Sequence, residues 1–161
     1  MRKNNFKVSV IVPIYNEEGC ILTLAERVVK VLENYYEYEI LFIDDGSKDS
    51  TLEILRKLHS GNKKINFLSF SRNFGHQNAL MAGTRHADGD CIISIDGDLQ
   101  HPPELIPELI IKWIEGYDIV YTIRKDGKKI PVLKKVTSNL FYKLMNAISD
   151  INFEHGEADF R

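Results

Sequence analysis

Short apolar runs rich in Val, Ile, Leu and Phe alternate along this chain with segments whose apolar residues recur every three or four positions. An alternation of strands with helices leaves few architectures open, because each crossover must return to the same sheet edge-on and cover one of its faces. It predicts an α/β fold, a Rossmann-like and mostly parallel sheet with helices on both faces. Strands are expected over 6–14, 39–43, 65–70, 90–95 and 117–123. Ile21, Leu24, Ala25, Val28, Val31, Leu32 and Tyr35 have helical spacing, as do Leu52, Leu55 and Leu58 within 50–58. Further helices are expected over 77–86, after Pro102 and Pro103, and over 132–148. The Pro-Pro pair suits a first helical turn, where a missing N–H costs nothing. That helix would bury Leu105, Leu109, Ile110 and Trp113 and end at Gly116.

In open parallel sheets, ligands bind outside the carboxyl ends of the strands. Those ends here carry Pro13-Ile14-Tyr15-Asn16-Glu17-Glu18, Asp44-Asp45-Gly46-Ser47, Ser71-Arg72-Asn73 and Asp96-Gly97-Asp98, with Arg124 after the fifth. Asp-Gly-Asp alone is an ordinary turn sequence. On an extended backbone, however, Asp96 and Asp98 would point to the same side, with Gln100 two residues further on. Like charges held together call for a cation between them. Hard oxygen donors suit Mg2+ or Mn2+, which keep positions for phosphate and water. Asp44 and Asp45 occupy the place where acids accept hydrogen bonds from ribose hydroxyls. Asp45-Gly46-Ser47 also reads as a loop leading to a helix capped by Asp49 or Ser50, and the two roles can coexist. Pro13-Ile14-Tyr15 would offer backbone and a ring face to a nucleobase, or be a plain strand exit. His101 sits beside the acidic cluster and reads as an exposed residue at a helix start.

Other classes are excluded by what the chain lacks. No Gly-x-Gly-x-x-Gly follows the first strand and no Gly-x-x-x-x-Gly-Lys-Ser/Thr occurs, against a dinucleotide dehydrogenase and a P-loop enzyme. The five histidines have no i, i+4 pair of a helical zinc site. A net charge of −2 with no basic stripe gives no reason to expect nucleic acid. Cys20 and Cys91 are too far apart for a zinc site and suggest no disulfide framework, which fits a reducing compartment. No apolar run approaches the ~20 residues of a membrane span, and 161 residues is the size of one domain.

The four strand-end motifs, extended to Ser71-Arg72-Asn73-Phe74-Gly75-His76-Gln77 and Asp96-Gly97-Asp98-Leu99-Gln100-His101-Pro102-Pro103-Glu104, resemble those of family 2 glycosyltransferases. The likeness runs in order through nearly the whole chain and is strongest to the polyprenyl-phosphate branch, with its dolichol-phosphate mannosyltransferases and bactoprenol glucosyltransferases. Gly156-Glu157-Ala158-Asp159-Phe160-Arg161 resembles the acceptor-side motif of that branch. The resemblance implies a single catalytic domain, 1–161, of the GT-A fold, cut before membrane-associated helices. It further implies an inverting, metal-dependent transfer of a hexose from a nucleotide-diphosphate sugar. Pro13, Tyr15 and Glu17 would line the nucleotide pocket, with Asp44 reading base or ribose and Asp45 beside it. Asp96, Asp98 and Gln100 would hold Mg2+ or Mn2+ against the diphosphate. Arg124 would meet the diphosphate or the acceptor phosphate, and Asp159 and Arg161 would lie near the acceptor.

The implied acceptor is polyprenyl (undecaprenyl) phosphate at the cytoplasmic face of the membrane, the domain itself being soluble. A lipid phosphate is already anionic, so Asp159 would orient groups; for a saccharide hydroxyl it would act as general base. UDP-glucose is the first-choice donor, ahead of GDP-mannose and UDP-N-acetylglucosamine, and a homo-oligomer stays open. The Gln-x-x-Arg-Trp signature of processive relatives is absent, which argues against polymer synthesis. Transfer to a saccharide hydroxyl in cell-surface polysaccharide synthesis is the alternative reading, and a non-catalytic sugar-nucleotide-binding module is another. A nucleotidyltransferase would carry a Gly-rich, Arg-bearing loop where this chain has Tyr15-Asn16-Glu17-Glu18. The basic segment 124–131 is expected to be a solvated loop or a gate at the membrane surface. Lys134, Lys135 and Lys143 on the helix that follows would each add roughly 1 kcal/mol of attraction to anionic headgroups, and charge reversal of Lys128, Lys129, Lys134 and Lys135 tests this.

Overall fold

The computed structural model describes residues 6–122. The expected helix over 132–148, the basic segment 124–131, Arg124, Asp159 and Arg161 lie outside the described residues. The elements are β1 (Lys7–Ile14), α1 (Ile21–Leu32), β2 (Glu37–Asp44), α2 (Thr51–Gly61), β3 (Ile65–Ser69), α3 (His76–His86), β4 (Cys91–Ser94), a 3-10 turn at Pro103–Leu105, and α4 (Ile106–Glu115). The strands form one parallel sheet in the order β3-β2-β1-β4. Val10 stands opposite Ile40 on one side and Ile93 on the other, so β1 is central.

Period-2 alternation sorts the strands' side chains between two layers. Val8, Val10, Val12, Ile14, Tyr38, Ile40, Phe42, Cys91, Ile93 and Ile95 belong to a large core shared with α1, α2 and α4. Ile11, Leu41 and Ile43 pack on the opposite layer with Ala79 of α3. Strands buried on both faces read as continuous apolar runs rather than alternating ones, which is why β1 and β2 stand out in the sequence. Ile21, Leu24, Ala25, Val28 and Leu32 give α1 its buried stripe. Gly116 adopts the left-handed conformation (φ 113°) expected of it at the end of α4.

Three local expectations change. Tyr35 shares the helical spacing, but α1 ends at Leu32 and the ring is 78% exposed. In α2 only Thr51 and Leu55 are buried, while Leu52 and Leu58 are half-covered. Residues 117–122 form no strand, and Ile119 is 75% exposed.

At the N-terminal edge of the sheet a buried charge ties three strands together. Glu39 of β2 accepts hydrogen bonds from Ser9 Oγ of β1 and from the Asp88 N–H before β4 (2.8 Å), and its other oxygen lies 3.5 Å from Lys7 Nζ. Ser9 Oγ in turn accepts from the Gly89 N–H (2.8 Å). Burial raises the Glu39 carboxyl, but the bonds from Ser9 and Asp88 and the charge of Lys7 outweigh it and hold the group below its ordinary range. This network lies at the end of the sheet opposite the strand exits.

Candidate functional site

The β1 exit is a bend in which Asn16 takes a left-handed φ of 56°. Asn16 and Glu18 turn to the β2 exit loop: the Asn16 N–H donates to Ser47 Oγ (2.9 Å), Asn16 Oδ1 accepts from the Lys48 N–H (2.8 Å), and Glu18 Oε2 accepts from the Ser50 N–H (2.9 Å). Asp49 completes the lacing by accepting from the Thr51 N–H (3.0 Å) and the Glu18 N–H (3.2 Å). Of the two expected caps, Asp49 therefore contacts the first turn of α2, and Ser50 makes no side-chain cap bond. With their neighbours tied down, Tyr15 and Glu17 are left to line the cavity that opens beyond the strand ends.

Asp44 and Asp45 divide their roles. Asp44 is buried, and its carboxylate accepts from the Ser47 N–H (2.9 Å) and from Ser69 Oγ (2.8 Å). It closes the β2 turn onto β3 and is not among the residues that line the cavity. Asp45, one residue on and on the opposite face, does line it. Its oxygens accept from the Phe74 N–H (2.7 Å) and the Gly75 N–H (2.8 Å). Those bonds draw the β3 exit across the sheet and aim the first turn of α3 at the cavity. Gly46 makes the crossing possible, since a Cβ there would sit 2.4 Å from the Arg72 carbonyl carbon.

Asp96-Gly97-Asp98 is a turn rather than an extended segment, because β4 ends at Ser94. Asp98 Oδ1 accepts from the Gln100 N–H (3.0 Å), and Leu99 takes a left-handed φ of 62°. A Cβ on Gly97 would meet the Ile14 Cγ2 methyl at 2.5 Å, so glycine lets the turn lie on the β1 exit. Both carboxylates nevertheless line the cavity. Turn and ligand site are the same object here. Gln100 meets Asp98 through its main chain and is not among the residues that line the cavity, whereas the two acids are. Asp96 is flanked by His101 Nδ1 (3.5 Å) and His76 Nε2 (3.9 Å). His101 is half-buried rather than exposed.

The assembled cavity has a volume of about 500 Å³. It receives Pro13, Tyr15, Glu17, Asp45, Asp96 and Asp98 from the expected set, and adds Asn73, Gly75 and His76 from the β3–α3 loop. Asn73 and His76 belong to the motif after β3 that carries the family resemblance, but neither stands among the expected site residues. Cys20 stands nearby; partial burial, the Glu17 carboxylate that accepts its S–H, and Asp98 push the thiol up. Among the described residues no three His, Cys, Asp or Glu side chains form a metal cage. Two carboxylates facing an open cavity fit Mg2+ or Mn2+, which take one or two protein acids and complete their shell with phosphate and water.

A family model for glycosyl transferase family 2 matches residues 9–159. The chain is 44% identical over 98% of its length to the uncharacterized glycosyltransferase YkcC of Bacillus subtilis, covering 49% of that protein. It is 47% identical over 96% of its length to the prophage bactoprenol glucosyl transferase homolog of Escherichia coli, covering 51% of it. The chain thus spans about half the length of the curated relatives it matches. Among solved structures, it superimposes on the Pyrobaculum calidifontis mannosyltransferase PcManGT, in complex with GDP-Man and Mn2+, with a TM-score of 0.63 at 23% identity, covering 76% of this chain and 36% of the other. It also superimposes on residues 1–349 of Staphylococcus aureus TarS in complex with UDP, with a TM-score of 0.61 at 25% identity, over 78% of this chain and 38% of the other. The parallel sheet with helices on both faces is the GT-A fold, and the chain belongs to glycosyl transferase family 2.

Proposed function

We propose that this domain takes a hexose from a nucleotide-diphosphate sugar and passes it, with inversion, to a polyprenyl phosphate at the cytoplasmic face of a membrane. The observation that carries the reading is the single cavity in which the Tyr15 ring, Pro13 and the carboxylates of Glu17, Asp45, Asp96 and Asp98 converge from three strand ends. A ring face with buried acceptors suits a nucleoside, and a pair of exposed acids suits a cation with its diphosphate. The names of the bactoprenol glucosyl transferase relatives, 46–47% identical, support the acceptor and favour UDP-glucose, with GDP-mannose and UDP-N-acetylglucosamine behind.

Asp96 and Asp98 would hold Mg2+ or Mn2+, which as a Lewis acid neutralises charge growing on the departing nucleoside diphosphate. Tyr15 stacks on the base, and Asp45 holds the β3–α3 loop against it. The first turn of α3, whose dipole favours anions, faces the same space. Arg124 is assigned to the diphosphate or the acceptor phosphate, and Asp159 to orienting the acceptor, which needs no proton removed. Among the described residues no helix is long and apolar enough to cross a membrane, and docking to the membrane surface is assigned to the basic segment 124–135.

Calorimetric titration of UDP, GDP and their glucose and mannose conjugates, with and without Mn2+, tests the reading on wild type and Asp98→Ala. Metal-dependent binding of one nucleotide, lost in the variant, is expected. A folded protein that binds none of them overturns it.

A further inference from the structure

Asp96 stands between two imidazoles that differ in their surroundings. His76 lies in the cavity wall, with its side chain 42% exposed and Nε2 3.9 Å from Asp96 Oδ1. His101 is not among the residues that line the cavity. Its side chain is 13% exposed, and its Nδ1 is buried and lies 3.5 Å from Asp96 Oδ2. One carboxylate oxygen is thus on the side of the cavity wall, and the other is on the side of a covered ring.

The chain on either side of His101 is constrained. Before it, Asp98 Oδ1 accepts from the Gln100 N–H and Leu99 takes its left-handed φ, so the turn that carries both acids is closed. After it, Pro102 is extended and the buried Pro103 opens the 3-10 turn. A residue that precedes proline is itself kept out of the helical region. The imidazole therefore reaches Asp96 from a short, stiff segment. A carboxylate only accepts, so a bond between them needs the proton on Nδ1. Asp98, by contrast, is exposed and is braced by its own turn.

The geometry points to His101 as a positioning residue for the proposed cation site, on which this inference rests. Through Nδ1–H it holds Asp96 Oδ2 back and keeps Oδ1 turned to the cavity. An aspartate without such a brace exchanges rotamers and loses that freedom when a cation binds. A hydrogen bond that fixes the carboxylate beforehand removes this cost, and outer partners of this kind raise the affinity of a metal site. At 3.5 Å the contact is longer than a formed hydrogen bond, and a small rotation of either side chain closes it. Such contacts tighten when a site is loaded. His101 acts through Asp96 and is not itself a ligand.

The test is titration of Mn2+ into the whole chain with UDP present, and separately with GDP, reading free Mn2+ by electron paramagnetic resonance. Wild type is compared with His101→Ala, His101→Asn and His101→Gln. Asparagine places an amide N–H where Nδ1 stands, whereas glutamine carries its amide further out, near the place of Nε2. His101→Ala should weaken Mn2+ binding by about tenfold. His101→Asn should recover most of that loss and His101→Gln little of it. Urea unfolding of each variant reads any structural contribution separately. A folded His101→Ala with wild-type Mn2+ affinity overturns the inference and leaves the cation site standing. Equal Mn2+ affinities in His101→Asn and His101→Gln also overturn it and make His101 a packing residue, and this comparison decides the matter if His101→Ala does not fold. A folded wild type that binds no Mn2+ with either nucleotide removes the cation site itself, and the inference with it.

Discussion

Replacing Glu39 by Gln changes one atom of a buried network and leaves its shape intact. Glu39 Oε1 accepts from Ser9 Oγ and from the Asp88 N–H, and Oε2 faces Lys7 Nζ at 3.5 Å. Bonds to a charged acceptor contribute about 1.5–3 kcal/mol and those to a neutral one about 0.5–1.5 kcal/mol, so each of the two loses about 1 kcal/mol. The Lys7 pair is partly exposed and contributes only about 0.5 kcal/mol. Together Glu39→Gln should destabilise the fold by about 2.5 kcal/mol at pH 7. The glutamate is held below its ordinary value of 4.5 in the folded state by Ser9, Asp88 and Lys7 against the opposing effect of burial. Its contribution is therefore complete above that value and disappears as pH falls through the lower, folded one. Urea unfolding of both proteins at pH 7 and at stepwise lower pH measures this. The gap should be widest at neutral pH and close in acid, where Glu39 is protonated and resembles Gln. A gap below about 0.5 kcal/mol at pH 7, or one that persists unchanged into acid, would refute the assignment of a stabilising charge to this network.

Gly97→Ala places a Cβ 2.5 Å from the Ile14 methyl; it should cost about 1–3 kcal/mol in urea unfolding and weaken metal-dependent nucleotide binding, because the displaced turn carries Asp96 and Asp98. Unchanged binding would show that the turn's position does not matter. Arg27 and Glu104 form a two-point pair, Nε to Oε1 at 2.9 Å and Nη2 to Oε2 at 2.6 Å, that joins α1 to the 3-10 turn. Both side chains are substantially exposed, so Arg27→Ala should cost less than about 1 kcal/mol by the same assay, and a larger loss would mean that the pair anchors α4.

Much of this molecule is legible in one dimension. Each strand and helix meets the core through its own periodicity, so the runs at β1 and β2 and the stripe of α1 announce themselves. Two places that keep the period break the rule. Tyr35 lies beyond the end of α1, and residues 117–122 form no strand. Periodicity reports what a segment could bury, and the neighbours decide what it does bury. The acidic strand ends were equally visible, since a parallel sheet delivers its strand exits to one edge.

What the sequence determined by itself is therefore the alternation of elements and the edge at which chemistry gathers. Which of two adjacent acids faces the cavity was decided elsewhere. Asp44 and Asp45 are identical in type and neighbours in sequence, and they part because Ser47 and Ser69 reach one while the Phe74 and Gly75 N–H groups reach the other. Asn73 and His76 enter the site on the same terms, carried there by a loop that Asp45 holds and Gly46 lets pass. Hydrogen bonds between residues some thirty positions apart carry no local signature. Only the folded chain brings their donors and acceptors within reach.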